Sequence, residues 1–153
     1  MTVPDPDGPP VPGSGPASRL ARPGGRYRLA GPVGLGSLFT GLVGAGARVA
    51  ALDGAAMGDR EAVFDWFARA LELPSWFGRN WDALVDVLGD LSWLGDRPVA
   101  LVWRRFDAMP PALAATVSAV VDAAVERRTA AGLPPLYVLL PPAPAAPEPI
   151  WPV

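Results

Sequence analysis

Apolar residues recur at helical spacing in four stretches of the chain. In the clearest of them, Val63, Phe64, Phe67 and Leu71 fall on one side of a helix that Asp59 can cap. The predicted helices are 37–45, capped by Ser37, 60–72, capped by Asp59, 81–89, capped by Asn80, and 110–131, which opens on two prolines. Each of these helices is expected to turn an apolar stripe toward a common core.

Three short runs are apolar almost without interruption, which is typical of strands that helices cover on both faces of a parallel sheet. The runs are RVAAL at 48–52, PVALVW at 98–103 and PLYVLL at 135–140. Helical stretches separate them, as in parallel strands joined by right-handed crossovers. The pattern therefore predicts an α/β domain in which a small three-stranded parallel sheet is packed with helices.

The two ends of the chain lack this periodicity and hold most of its 20 prolines. We predict a disordered Pro/Gly-rich tail over 1–34 and an extended, polyproline-like tail over 141–153. The folded domain is then 35–140. Ile150 and Trp151 are apolar, but we do not expect them to pack on the domain.

The chain contains no cysteine and no histidine among its 153 residues. Disulfides, thiolate nucleophiles, the usual zinc ligands and the most common general base near neutral pH are thereby excluded. We therefore expect a protein that is not an enzyme and that needs neither a metal nor a cofactor.

No apolar run approaches the roughly 18 residues of a membrane span, and the amino terminus does not resemble a signal peptide, so the cytoplasm is the expected compartment.

Charge is distributed unevenly along the chain. Residues 1–48 carry five Arg against two Asp, whereas residues 49–153 carry eight Arg against thirteen acids. An acidic folded part disfavours direct binding to the phosphates of nucleic acid and favours a basic protein partner.

Three carboxylates stand out in the helix after Asn80. Asp82, Asp86 and Asp90 are spaced four residues apart and should form one solvent-facing ridge, opposite the apolar side of the helix. Each like-charged pair at this spacing costs about 0.2–0.5 kcal/mol, and the helix carries no Arg to offset it. The helix dipole can explain Asp82 in the first turn, and solvated acidic faces are common, but an acidic binding surface explains the group better.

Two aromatic residues, Trp76 and Phe77, lie in the connection just before this helix, followed by Gly78. We assign Phe77 to the core and Trp76 to the surface. An exposed aromatic beside carboxylates is typical of an interaction hot spot, where a rigid anchor excludes water around charged contacts.

The segment 73–88, LPSWFGRNWDALVDVL, resembles the barstar family, whose pattern is Leu-Pro, two aromatics, Gly, any residue, Asn, then Asp-Ala-Leu and a further Asp. The LDG at 52–54 and the run PVALVWRRF at 98–106 are also similar to that family. The resemblance extends over 48–140. It implies a barstar-like fold and a protein that inhibits a barnase-like ribonuclease by covering its active site.

By this resemblance, the helix after Asn80 and the loop before it enter the cleft of the ribonuclease, where carboxylates occupy the sites of RNA phosphates. Asp82 and Asp86 match the contact acids, Asp86 being the central one, and Trp76 matches the aromatic that packs on the active site. The implied partner-binding residues are Trp76, Gly78, Asn80, Asp82, Val85 and Asp86, and the ridge adds Asp90.

The sequence departs from the family at two places. Val85 stands where barstar has a tryptophan, and the last helix reads Glu126-Arg127-Arg128 where barstar supplies an acidic contact. The favoured hypothesis is an intracellular inhibitor, monomeric when unbound, of some basic ribonuclease. The alternative is a module of the same fold that binds a non-ribonuclease toxin or a regulatory protein. An enzyme with Asp82 and Asp86 as an acid/base pair is disfavoured, because a convex ridge lacks a cleft that would separate their pKa values.

Overall fold

A computed structural model of the chain describes residues 20–32 and 34–151. It forms an α/β domain of four helices and five strands. In chain order the elements are β1 (Gly25–Leu29), α1 (Leu35–Gly44), β2 (Arg48–Asp53), α2 (Arg60–Ala70), α3 (Trp81–Asp90), β3 (Val99–Arg104), α4 (Pro111–Ala130), β4 (Leu136–Leu140) and β5 (Ile150–Trp151). Short 3₁₀ turns follow β2, α3 and β3.

The sheet is parallel throughout and has five strands in the order β2-β3-β4-β1-β5. The three predicted strands are confirmed as β2, β3 and β4, but the predicted total of three is wrong. The two further strands, β1 and β5, extend the sheet beyond β4. β5 has only two residues, too few to show a periodic pattern, and it forms because β1 offers it an unpaired edge.

Helices and chain segments cover both faces of the sheet. α2, α3 and α4 pack on one face, where Phe64, Leu84 and Val121 are fully buried. α1 lies on the other face with an aromatic cluster of Tyr27, Tyr137 and Trp151, whose ring centroids are 5.1–6.3 Å apart. The central strand β4 is consequently inaccessible to solvent along its whole length.

β1 and β5, the two strands that were not predicted, lie in stretches for which we predicted tails. β1 falls within 1–34 and β5 within 141–153, and Trp151 is buried, contrary to expectation. The alternation Arg26-Tyr27-Arg28-Leu29 is a strand signal that the surrounding prolines and glycines obscured. Residues 1–19 of the predicted amino-terminal tail lie outside the described part of the chain.

Ion pairs connect β1 to the segment that leads into β5 and to the helical layer. Glu148 lies between two arginines of β1 and accepts hydrogen bonds from Arg26 Nη1 at 2.9 Å and Arg28 Nε at 3.3 Å. Arg28 is buried and also donates to Asp107, while Arg26 pairs with Asp122 of α4. The charged side chains thus connect β1, the carboxyl-terminal segment and the helical layer.

Helix starts follow the predicted capping chemistry in two cases. Asp59 accepts a hydrogen bond from the Ala62 amide at 2.9 Å, and Asn80 accepts one from the Ala83 amide at 2.8 Å. The prediction for Ser37 is wrong, because α1 begins at Leu35 after Gly34 and has no side-chain cap.

None of the helices in the described ranges combines the length and apolar character that crossing a bilayer requires.

We predict that Glu148→Ala lowers the free energy of unfolding by about 2 kcal/mol, because it leaves the buried Arg28 guanidinium with fewer acceptors. Urea unfolding followed by tryptophan fluorescence measures the change. Glu126→Ala is the matched control, since Glu126 is exposed and makes no side-chain hydrogen bond within the described residues. Equal stability of the two variants would contradict the role given to Glu148.

Candidate partner-binding surface

The loop before α3 is fixed by Asn80. Its side-chain oxygen caps α3 through the Ala83 amide, and its Nδ2 donates to the carbonyl of Gly78 at 3.3 Å. A Cβ placed on Gly78 would lie 3.3 Å from that same Nδ2, so glycine leaves room for the turn. Gly78 and Asn80 therefore have a clear structural role: they set the geometry with which the loop enters the helix.

Arg79 fastens the same loop to α2. Its backbone has a φ of 50°, and one side-chain nitrogen, Nη2, donates to Glu61 and to Asp65, each at 2.9 Å. The hydrogen bond from Arg79 lowers the pKa of the Glu61 carboxyl. Because both acids belong to α2, the positive charge of Arg79 is paired within the protein. It does not offset the negative charges of α3.

The two aromatic residues of the loop differ in burial, as predicted. Phe77 is buried and meets Phe64 edge to face, with ring centroids 5.8 Å apart, whereas Trp76 is 67% exposed. Trp81, at the start of α3, is half-buried and packs on Phe64 at 4.9 Å. The buried rings hold the loop against the core, and Trp76 is left as a large apolar side chain in solvent.

The carboxylates of α3 lie on its exposed side. Asp82, Asp86 and Asp90 are all exposed, while the buried side of the helix is formed by Leu84, Val87, Leu88 and Gly89. Val85 is half-buried and packs against the core at the margin between the two sides. The structure thus confirms that the three acids face solvent on one helix.

An arginine from another helix pairs with the central acid of this ridge. Arg127 of α4 donates through Nη1 to Asp86 Oδ1 at 2.5 Å, and both side chains are more than half exposed. The helix carries no arginine of its own, as the sequence indicates, but in the folded protein Arg127 of α4 offsets part of the repulsion along the ridge. Arg127 is 41 residues away in sequence, and it reaches Asp86 because α4 packs directly on α3.

The neighbouring Arg128 has a different environment. It is buried, and its guanidinium donates to the carbonyl oxygens of Pro134 and Asp90 at 2.8–3.0 Å. Burial lowers the pKa of Arg128 from its ordinary value. Of the two basic residues at this point of α4, only Arg127 contributes to the exposed surface.

The fold brings most of the predicted site residues onto one stretch of surface. Trp76, Gly78, Asn80 and the three aspartates are all exposed and belong to the loop and α3. Within residues 20–32 and 34–151, no three acidic side chains are grouped as they would be around a metal ion. The surface therefore offers an aromatic side chain and carboxylates, which are groups suited to contacts with a basic protein.

The domain displays an aromatic anchor and a row of carboxylates on one helix and the loop before it. These are the features of a protein-binding domain. The family model described as barstar, the barnase inhibitor, matches residues 47–139, and the chain belongs to the barstar family. The resemblance inferred from the sequence is confirmed. No curated protein matches the sequence well enough to count as a relative. The matched region contains α2, α3 and the loop between them, whereas β1, α1 and β5 lie outside it.

We predict that Asn80→Ala lowers the free energy of unfolding by about 1 kcal/mol, because the Ala83 amide loses its capping acceptor. Asn80→Ser is the matched variant, since it keeps a side-chain oxygen at the cap and places no second acceptor against the Gly78 carbonyl. Thermal or urea unfolding should show Asn80→Ser closer to the wild type than Asn80→Ala. If both variants lose the same stability, the cap is not the reason for the effect.

Proposed function

We propose that this protein is an intracellular inhibitor of a basic, barnase-like ribonuclease and that it covers the active site of that enzyme with α3 and the loop before it. It acts as a stoichiometric binding protein, with no catalytic step of its own. The carboxylates of α3 take the places of RNA phosphates, so substrate and inhibitor compete for the same cationic groups.

One observation carries this proposal: the exposed Trp76 precedes a helix whose solvent side carries Asp82, Asp86 and Asp90, inside the region that matches the barstar family. Trp76 provides a large apolar contact that shields neighbouring charge contacts from water. The rigid attachment of the loop through Asn80 and Arg79 means that little ordering entropy is lost when a partner binds.

The charges of this region support a basic partner. Residues 72–96 hold five acids against one arginine, and that arginine, Arg79, is already paired with α2. An excess of negative charge on one surface steers a positively charged protein toward it and raises the association rate at low ionic strength. Such a surface repels the phosphates of nucleic acid, so the protein reaches RNA chemistry only through the enzyme that it inhibits.

We predict that the purified protein inhibits at least one member of a panel of secreted bacterial ribonucleases that includes barnase, and that Asp86→Asn weakens this inhibition by about tenfold or more. The loss follows from the removal of a charged acceptor at the centre of the contact. Cleavage of a fluorogenic RNA, titrated with inhibitor at low and high salt, gives the inhibition constants.

The matched control is Asp122→Asn, which also removes one carboxylate charge from an exposed Asp–Arg pair but lies away from α3. It should inhibit like the wild type. Absence of inhibition across the whole panel would overturn the proposed function, and equal losses for both variants would place the contact elsewhere.

The exposed indole gives an independent prediction. Trp76→Ala should weaken ribonuclease binding by about tenfold or more, because a central aromatic anchor is lost. It should leave the free energy of unfolding within about 0.5 kcal/mol of the wild type, since Trp76 is a surface side chain. Calorimetric titration and urea unfolding measure the two quantities. A large loss of stability would indicate that Trp76 belongs to the fold instead.

The second candidate is a barstar-like module for a non-ribonuclease toxin or a regulatory protein. The observation that favours it is Arg127, which places a cation beside the central acid of the ridge. Capture of the partner from the source cell, followed by an assay of the captured protein for RNA cleavage, separates the candidates. A captured protein that lacks ribonuclease activity and binds through Asp86 would favour this second function.

A further inference from the structure

The contact between Arg127 and Asp86 joins two exposed side chains at the middle of the proposed binding surface. Arg127 donates to Oδ1 of Asp86, and no other hydrogen bond to the Asp86 carboxylate occurs within the described residues. Asp82 and Asp90 form no ion pair with a side chain in this part of the structure, and the carboxylate of Asp90 accepts a hydrogen bond only from the hydroxyl of Ser92. The central acid is therefore the one ridge carboxylate that a cation already occupies.

The position of Arg127 is built into the packing of the two helices. A Cβ placed on Gly89 of α3 would lie 2.7 Å from Cδ of Arg127 and 3.5 Å from its Cγ. The aliphatic part of Arg127 thus lies across α3 at Gly89, where a larger residue would force the Arg127 side chain to shift. This contact directs the guanidinium along the surface of α3 toward Asp86, one turn earlier in the helix.

The pair changes the charge pattern that a partner meets. Asp82 and Asp90 retain their negative charge at the two ends of the ridge, whereas the charges of Asp86 and Arg127 cancel at its centre. An incoming lysine or arginine that binds Asp86 must displace the guanidinium of Arg127 or approach it closely. Either event opposes binding, because two cations then share one carboxylate.

We propose that Arg127 is a specificity-determining residue that masks Asp86 in the free protein. This inference rests on the proposed function and concerns the same surface. A basic protein binds tightly only if its cationic group replaces Arg127 at Asp86 and if further contacts, with Trp76 and Asp82, offset the exchange. Proteins that are merely basic are discriminated against, since they gain little at the centre of the ridge.

The test uses Arg127→Met in the full chain, with barnase and any other inhibited ribonuclease of the panel as probes. Methionine keeps an unbranched side chain over Gly89 and removes the charge. We expect Arg127→Met to bind the probe about threefold to tenfold more tightly than the wild type at low salt, through loss of the competing cation. High salt should reduce this difference. Arg127→Gln serves as a second variant if the first one is unstable.

Two further variants show whether the gain arises at Asp86. In the Asp86→Asn background, Arg127→Met should raise the affinity by a clearly smaller factor than it does beside Asp86, because no masked carboxylate remains and only the direct repulsion between Arg127 and a cationic partner is removed. Arg22→Met is the matched control: it removes one arginine charge on the opposite face of the sheet, where Arg22 stacks on Trp151, and it should bind the probe like the wild type.

The outcomes separate the inference from the proposed function. If Arg127→Met binds as the wild type does or more weakly, while Asp86→Asn still reduces inhibition, masking is wrong and the inhibitor proposal stands. The same conclusion holds if the gain in the Asp86→Asn background is as large as the gain beside Asp86. If neither the wild type nor any variant binds a ribonuclease of the panel, the proposed function fails and the masking that depends on it fails too.

Discussion

The burial of a parallel sheet on both faces is the constraint on which the rest of this structure depends. β4 is inaccessible to solvent along its whole length, so the chain must supply a layer on each side of the sheet. α2, α3 and α4 form one layer, and α1 with the aromatic cluster forms the other. α3 must direct Leu84, Val87 and Leu88 inward to complete its layer, and this fixes which of its residues face solvent.

The candidate binding surface is a consequence of that orientation. Once the apolar side of α3 is committed to the core, Asp82, Asp86 and Asp90 have to face outward. Phe77 and Asn80 then hold the preceding loop in one arrangement, which leaves Trp76 beside the helix that carries the acids. Under the proposed function, stability and recognition are divided between the two sides of one short helix, and substitutions on its outer side are expected to alter binding with little effect on folding.

The proximity of α3 and α4 adds a feature that neither helix has alone. Gly89 permits Arg127 to cross α3 and reach Asp86, so a residue of α4 modifies the surface charge of α3. Under the proposed masking, partner preference depends on a side chain that is distant in sequence from α3. The buried Arg128 supports the same region differently, by satisfying the backbone carbonyls of Pro134 and Asp90.

The sequence by itself determined the local features of this protein. The local features are the helical periodicity, the caps Asp59 and Asn80, the strands β2, β3 and β4, and the burial of Phe77 beside an exposed Trp76. They all depend on residues within a few positions of one another. Such short-range patterns report secondary structure and the buried side of each element directly. The family motif at 73–88 is local in the same sense, which is why the family and the α/β fold class could be predicted.

Only the tertiary structure decided the pairing of β1 with β5, the burial of Trp151 and the partner of Asp86. β1 and β5 pair through backbone groups, and Glu148 meets Arg26 from 122 residues away. Arg127 meets Asp86 across 41 residues. Contacts of this kind leave no periodic trace in the sequence, because they depend on which segments the packing of the core brings together. The physical reason is that edge pairing and ion pairs need proximity in space, whereas helical and strand patterns need only proximity along the chain.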